Sequence, residues 1–449
     1  MDGNGNGHGG TVPPGGGAGA PADAAMSRQA KSRERGILVV GGGMAGISAA
    51  IEAAEAGSDV YIVESNPSLG GRVAQLHQYF PKLCPPYCGL EINFRRIRSD
   101  HRHFKVFTLA QVERVSGEAG NYEVTVRLAP RYVLQERCIA CNRCAEACPV
   151  DRPNAYNYGL DTTKAAYLPS PMAFPMKYVI DGAACLGESG SACVEACPTN
   201  AIDLAMQPKT ITLRVGAVIL ATGWKPYDAN KLTILGYAEN PDVVNNVEME
   251  RLAAVDGPTG GCLERPSDGR PAKRVAFVQC AGSRDVNHLP YCSSICCLGS
   301  IKEATYVRSQ YPDSEVFIFY IDIRAPGRNE DFYHRIAADP GVHFIKGKVA
   351  KVARDRATGD MVVEADDMLS GGKTRVPVDL VVLATGMVPS VSEAEGIPGL
   401  PVEYDEYGFA LENREAGVFV AGVAHRPADV VTTVRDATGA ALKAIRATL

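Results

Sequence analysis

Fourteen cysteines carry the chemistry of this 449-residue chain, and their spacing sorts most of them into sets. Cys138 to Pro149 reads CIACNRCAEACP, a C-x2-C-x2-C-x3-C-P run whose thiolates suit iron–sulfur clusters. Three thiolates on a tight loop take three corners of one cubane. The fourth, Cys148, is expected to open a helix pointing away and to ligate a second cluster. Zinc rarely uses four cysteines at this spacing followed by Pro. The partner half follows at Cys185, Cys193 and Cys197. By the crossing rule, Cys138, Cys141, Cys144 and Cys197 hold one [4Fe-4S] cluster, and Cys148, Cys185 and Cys193 serve the other. That second set is one cysteine short. Glu188, Ser189 or Ser191, an outside ligand, a three-iron cluster and loss of the cluster all remain open.

A third set is Cys280 with Cys292, Cys296 and Cys297. The last three are expected to open a helix running through Lys302, Glu303 and Ala304, whose N-terminus favours thiolates. Spacing alone leaves three readings: an iron–sulfur cluster, a redox dithiol beside a flavin (Cys292 with Cys296), or buried free thiols. Cys84 and Cys88 lie in a Pro-rich stretch, facing a redox centre or serving as small loop residues.

These thiols need a partner that exchanges electrons, and Gly36 to Glu64 offers one. An apolar strand, Ile37–Val40, runs straight into Gly41, Gly43 and Gly46 in G-x-G-x-x-G spacing. An Ala-rich helix follows from about Ala45 to Ala56, then a strand Val60–Val63 ending on Glu64. Gly41 permits the tight turn, Gly43 admits a pyrophosphate, and Gly46 lets helix and strand pack closely. The helix N-terminus, with Met44 and Ala45, presents free N–H groups to phosphate. Glu64, followed by Ser65, is placed for a ribose hydroxyl. Gly70, Gly71 and Arg72 resemble the second phosphate contact of two-dinucleotide flavoproteins. Ala221, Thr222 and Gly223 look like their re-entry turn, and Val418 to Gly422 like their last strand. That likeness favours FAD at this site. Such flavoproteins usually carry an Asp after the last Gly; here it is Val423.

The bounds are consistent with that reading. A net charge of -5 gives no sign of nucleic-acid binding. No apolar run approaches the ~20 residues that cross a bilayer, so any membrane role runs through partners rather than direct insertion. Residues 1–35 are Gly/Pro/Ala-rich without a signal-peptide core and are expected to be disordered. The expected architecture is α/β: two nested dinucleotide-binding-type, thioredoxin-reductase-like domains with an inserted ferredoxin-like α+β module. The flavin domain takes 36–130, 206–241 and 391–449, the module 131–205, and the second domain 242–390. Phe104–Leu109 and Tyr122–Leu128 alternate like an antiparallel hairpin. Arg95, Arg96, Arg98, Arg102 and Lys105 read as a solvated helix face rather than a docking patch. The Tyr- and Pro-rich stretch from Asn154 to Asp181 is expected to pack on the flavin domain or under a partner subunit. In the second domain, Val275–Gln279 should be a strand, but the following turn is Cys280-Ala281-Gly282-Ser283-Arg284. The nicotinamide phosphate cradle is therefore expected to be gone. Val381 to Gly386 echoes the earlier Leu220 to Gly223 turn, and a helix is expected near Asp436 to Ala447.

VAFVQCAGSRDVNHLPYCSSICCLGSIKEATYVRSQYPD closely resembles the A-subunit family of heterodisulfide reductase flavoproteins, most of all the branch in the quinone-interacting membrane-bound oxidoreductase complex of sulfate reducers. AYNYGLDTTKAAYLP and FIFYIDIRAPGRNEDFY extend the likeness. The resemblance implies an FAD and iron–sulfur oxidoreductase subunit, with a cluster on Cys280, Cys292, Cys296 and Cys297. Longer members carry a further ferredoxin module after the position of Leu449, which points to the quinone-linked branch. The resemblance further implies a cytoplasmic protein held at the membrane by a quinone-reactive partner subunit. It would pass electrons between quinone and adenylylsulfate reductase, with flavin-based bifurcation or confurcation as a mode of dividing them. The alternatives are a bifurcating subunit of the heterodisulfide reductase type, a stand-alone NAD(P)H-dependent flavoenzyme and a non-catalytic assembly subunit.

Overall fold

The structure is a computed structural model describing residues 36–80, 82–185, 192–391 and 396–449; residues 1–35, Glu188, Ser189 and Ser191 lie outside them. Strand β1 (Gly36–Val40) is apolar and almost wholly buried, as a strand covered on both faces must be. Helix α1 (Met44–Glu55) follows at once, and Gly57, at φ 90°, ends it in the left-handed conformation that glycine adopts without strain. Strand β2 (Val60–Glu64) lies parallel to β1. Helix α2 (Tyr87–Ser99) then leads to β3 (Phe104–Thr108).

Here the expected hairpin is corrected. β3 lies parallel to β2. The hairpin is made by β4 (Ala110–Glu118) and β5 (Asn121–Leu128). β3 is the edge strand of the sheet, half exposed, so it alternates just as a hairpin strand does. Strand β6 (Lys209–Leu220) serves two neighbours in turn. Its first half pairs antiparallel with β5, and its second half lies parallel to β1 and to Val418–Val420. The sheet order is β3-β2-β1-β6-β5-β4. The basic run is largely a solvated face: Arg95 pairs with Glu91, and Arg96 with Glu55.

The second domain has a parallel sheet of β7 (Val243–Asn245), β8 (Arg274–Ala281), β9 (Glu315–Tyr320) and β10 (Val342–Lys346), completed by Leu380–Thr385 beside β7 and β8. Helix α3 (Asn246–Ala253) starts on a capping box, in which the Asn245 side chain accepts from Val247 and Glu248 N–H while Glu248 accepts from Asn245 N–H. Helix α4 (Cys296–Gln310) starts at Cys296, so Cys292 stands before it rather than within it. A meander of β11 (Val349–Arg354), β12 (Met361–Asp367) and β13 (Gly372–Val378) leads to β14 (Leu380–Thr385). Trp224–Pro226 on the way in and Met387–Pro389 on the way out form an antiparallel ribbon, so the two similar turns seen in the sequence lie side by side.

The chain returns through β15 (Val418–Val420) to helix α5 (Val430–Thr448), longer than expected at its start. Ala437, Ala440, Ala441 and Ala444 of α5 share one core with Ala49, Ala50, Ala53 and Ala54 of α1. Small faces let the two helices approach closely. The inserted module comprises the short helices Arg143–Glu146, Gly182–Cys185 and Ala192–Ala196 and two small ribbons, Asp151–Pro153 with Thr162–Lys164 and Ala166–Tyr167 with Val179–Ile180. Cys148 follows the first of these helices rather than opening one, and Cys88 lies on α2 rather than in a loop. Among the described residues no helix is long and apolar enough to cross a membrane.

The turn after β1 is set by backbone contact. A Cβ on Gly46 would lie 1.8 Å from Gly41 O. Gly46→Ala is therefore expected to destabilise the chain by about 1–3 kcal/mol or more through overpacking, seen as a lowered Tm. Gly439→Ala, on α5 with open space around it, is expected to leave Tm unchanged or raise it slightly.

Candidate functional site

A cavity of about 1000 Å³ begins at Gly41 and Gly43 and ends against Ser294, Ile295 and Leu298, at the start of α4. Its first end is a phosphate cradle by construction. A Cβ on Gly41 would lie 2.3 Å from Ala221 O, and one on Gly71 2.8 Å from the Gly43 Cα. Bare backbone from three segments thus meets at the N-terminus of α1, as a pyrophosphate requires. Met44, Ala45, Ser65, Thr222 and Gly223 also line the cavity. Gly46, Gly70 and Gly422 act from behind it, and at the last turn the lining residue is Val423. A Cβ on Gly422 would meet the Ala45 Cβ at 2.9 Å, and Asp436 of α5 accepts the Gly422 N–H at 2.7 Å. An Asp thus holds this turn from within, in place of one next to the Gly.

Glu64 is buried at the end of β2. One carboxylate oxygen accepts the Gly42 N–H at 2.6 Å; the other accepts the backbone and side-chain N–H of Asn66 at 2.7 Å. It therefore ties the Gly-rich turn to β2 while facing the cavity. Arg72 donates to Trp224 O at 2.7 Å and to the Tyr158 hydroxyl at 2.8 Å, with its guanidinium over both rings. Tyr156, Tyr158, Tyr167 and Arg152, from the inserted stretch, also line the cavity. Of the two expectations for that stretch, packing on the flavin domain is what the structure shows: Tyr156 donates to Ala74 O at 2.6 Å, and Phe174 stacks on Phe94.

The thiols fall into neighbourhoods, and no disulfide forms among the described residues. Cys144 sits beside Cys138 and Cys141, and burial followed by those two neighbours pushes its thiol up to about 12. Cys193 sits beside Cys185 and Cys148; burial, then those neighbours, raises it. Cys197 ends the helix that packs against Arg143–Glu146. Burial there is outweighed by N–H groups, chiefly those of Ala201 and Thr199, and its thiol is lowered. The Ala201 N–H meets its sulfur at 3.2 Å.

Cys280, Cys292, Cys296 and Cys297 form a third neighbourhood. Cys296 is raised by burial first, then by Cys280, Cys297 and Cys292. Cys280 takes the left-handed conformation, φ 56°, and burial raises it against the pull of Arg284. Buried thiolates are disfavoured alone, but a bound cation reverses that preference. Among the described residues no three His, Cys, Asp or Glu side chains close around a single metal ion. A cubane is a different demand, since each thiolate binds its own iron, and four thiols in one neighbourhood suit it. Cys84 is half-buried beside Tyr79, and Cys88 is exposed; neither joins these neighbourhoods.

The turn after β8 differs from the glycine-rich turn after β1. After β8 the helix does not open until Cys296, and the single glycine of the turn, Gly282, is packed by Tyr227.

Residues 36–87 match the FAD dependent oxidoreductase family, and residues 131–151 match the 4Fe-4S binding domain. The chain carries an FAD-dependent oxidoreductase domain and a 4Fe-4S binding domain. It is 38% identical over 428 residues to the iron-sulfur A-subunit 1 of CoB--CoM heterodisulfide reductase from Methanopyrus kandleri, covering 92% of this chain and 64% of that one. It is 37% identical over 418 residues to the A-subunit of the H(2):CoB-CoM heterodisulfide,ferredoxin reductase of Methanothermobacter marburgensis, covering 91% and 63%. These chains are its homologues, and it spans less than two thirds of their length. Thioredoxin reductase of Lactococcus lactis shares the fold at a TM-score of 0.50 and 14% identity, covering 92% of this chain and 99% of that one.

Sequence reasoning missed Arg152, Tyr156, Tyr158, Tyr167, Trp224, Glu250 and Glu303 as cavity residues of the flavin domain. The tyrosine density of the inserted stretch was a usable signal. Glu303 had none, because an acid in the middle of a helix reads as solvated. Glu64→Ala is expected to leave the buried Gly42 N–H unpaired, a loss of roughly 1–3 kcal/mol. FAD affinity, titrated into apo-protein by fluorescence, should fall roughly ten- to a hundredfold, and less in Glu64→Gln, which keeps an acceptor.

Proposed function

We propose that this chain is the FAD and iron–sulfur electron-transfer subunit of a heterodisulfide-reductase-type complex. One observation carries the reading. A single cavity runs from a dinucleotide cradle to the first turn of α4, where Cys296 and Cys297 sit in a neighbourhood with Cys280 and Cys292. The usual position of a second dinucleotide holds sulfur instead, so the reductant is delivered as electrons rather than as a soluble hydride.

Bound FAD supplies exchange between two-electron and one-electron carriers. The chain's residues do the rest. Gly41, Gly43 and Gly71 admit the pyrophosphate, and Glu64 holds the turn and faces the ribose. Arg72, Tyr158 and Trp224 close the cavity against water from the module side. Cys280, Cys292, Cys296 and Cys297 hold one cluster at the far end. Cys138, Cys141, Cys144 and Cys197 hold another in the module. Cys148, Cys185 and Cys193 hold what the module's second site contains.

Within this class we infer the quinone-linked branch. The stretches beginning at Val275 and Phe317, quoted above, support it. The partners are then adenylylsulfate reductase and a membrane-anchored quinone-reactive subunit, and the chain lies on the cytoplasmic side of the membrane through those contacts.

The reading is tested by iron and sulfide counts with EPR on FAD-loaded full-length chain. Cys296→Ala is expected to remove about four irons and one EPR signal while FAD absorbance stays. Cys141→Ala should remove a different signal. Retention of every signal in Cys296→Ala, or flavin bleaching by NADPH alone, would defeat the reading.

A further inference from the structure

Glu303 lies on α4, about two turns beyond Cys296, with 2% of its surface exposed. It lines the flavin cavity together with Glu250 of α3. The two carboxyls lie against each other and are unequally provided for. Glu250 pairs with Lys302 Nζ at 2.7 Å, accepts the backbone N–H of His77 at 2.9 Å, and accepts the Tyr306 hydroxyl at 3.3 Å. Glu303 Oε2 meets no donor among the described residues. Burial, then the charge on Glu250, holds the Glu303 carboxyl well above the usual carboxylate range. Both causes favour its protonated form.

The titratable and charged groups around this pair are few. Lys302, Tyr306 and Cys296 are on its own helix, and Glu250 and Arg251 are on α3. His77 comes from the flavin domain, and Asp256 lies just past α3. All of the donors named on Glu250 leave Glu303 alone. Glu303 hydrogen-bonds the Glu250 carboxyl, while its Oε2 stays unpaired; a buried unpaired oxygen is costly to keep for packing alone. Glu303 nonetheless belongs to the cavity lining.

We propose that Glu303 is the acid that supplies the proton taken up when a flavin in this cavity is reduced. The inference rests on the FAD reading above. Two electrons, delivered singly by iron–sulfur donors, and one proton convert oxidised flavin to its anionic hydroquinone. Glu303 gives up that proton and is left as a carboxylate until solvent replaces it. Tyr306, on Glu250, and the half-buried His77, edge-on to Tyr306 at 4.7 Å, lead from the pair towards the surface. Lys302, held between Glu250 and Gln78 O, offsets the extra negative charge while Glu303 is ionised.

The test uses the full chain loaded with FAD. Infrared spectra of the oxidised wild type should show a protonated-carboxyl C=O band that is perturbed on reduction and absent from Glu303→Gln. In stopped flow with reduced methyl viologen, Glu303→Gln should bleach its flavin on the order of 100-fold more slowly. Added acetic acid should restore part of that rate, which a merely structural role would not allow. A Glu303→Gln chain that holds FAD and bleaches at the wild-type rate would overturn the assignment and leave the FAD reading standing. Absence of the band from the wild type would do the same, even if the variant fails to fold. A wild-type chain that takes up no FAD would overturn both.

Discussion

Two guanidinium groups hold the flavin cavity together. Arg72 joins the segment after the Gly-rich turn to Tyr158 of the inserted stretch and to Trp224, where the chain leaves for the second domain. Arg251, fully buried, donates to Asn157 Oδ1 at 2.7 Å, to Gln75 O at 3.1 Å and to Asp256 Oδ1 at 2.9 Å, and lies over the Tyr156 ring. Arg72 ties the flavin domain to the module, and Arg251 touches all three parts of the chain at once. Arginine suits this task because its planar fork presents five donors in fixed directions. Burying a cation is unfavourable unless those directions are filled. Arg251 therefore penalises any arrangement in which module, flavin domain and second domain are not all in place.

Much of this is legible in the amino-acid sequence alone. Gly41 and Gly46 are legible because no other residue admits the close backbone contacts that the structure contains. Ile37–Val40 reads as a buried strand because it is apolar without a break. The fold class follows from these signals, since strand, glycine turn and helix recur in a fixed order. β3 misleads for a physical reason: alternation reports one exposed face, and both an edge strand and a hairpin strand have one. The start of α4 is expected too early because Cys292 and Cys296 share a spacing that a helix could also give.

The least legible part is the lining contributed by distant segments. Tyr158, Glu250 and Glu303 reach one cavity across large separations in sequence, and no local pattern records such a meeting. The inserted module is a different case. Its core combines Cys138, Cys144, Cys148, Cys185 and Cys193 with the small residues Ala165, Ala166 and Ala201 and with three larger side chains, Val133, Tyr178 and Ile180. Carbon surface this modest gives little hydrophobic stabilisation, so metal binding and folding are expected to be one event there. Sequence shows this well, because cysteine spacing is itself the fold determinant.

The paired strands at Trp224–Pro226 and Met387–Pro389 join the two large domains by two passes of the chain. They carry the chain into and out of the second domain, and they are hydrogen-bonded to each other along their length, with Tyr227 N–H to Gly386 O and Ser390 N–H to Gly223 O closing the ends. A single connection would swivel freely; a two-ply strap resists torsion. Electron tunnelling falls off exponentially with the gap between centres. For the proposed hop from flavin to a cluster on Cys296, a strap of this kind would hold the gap at one length.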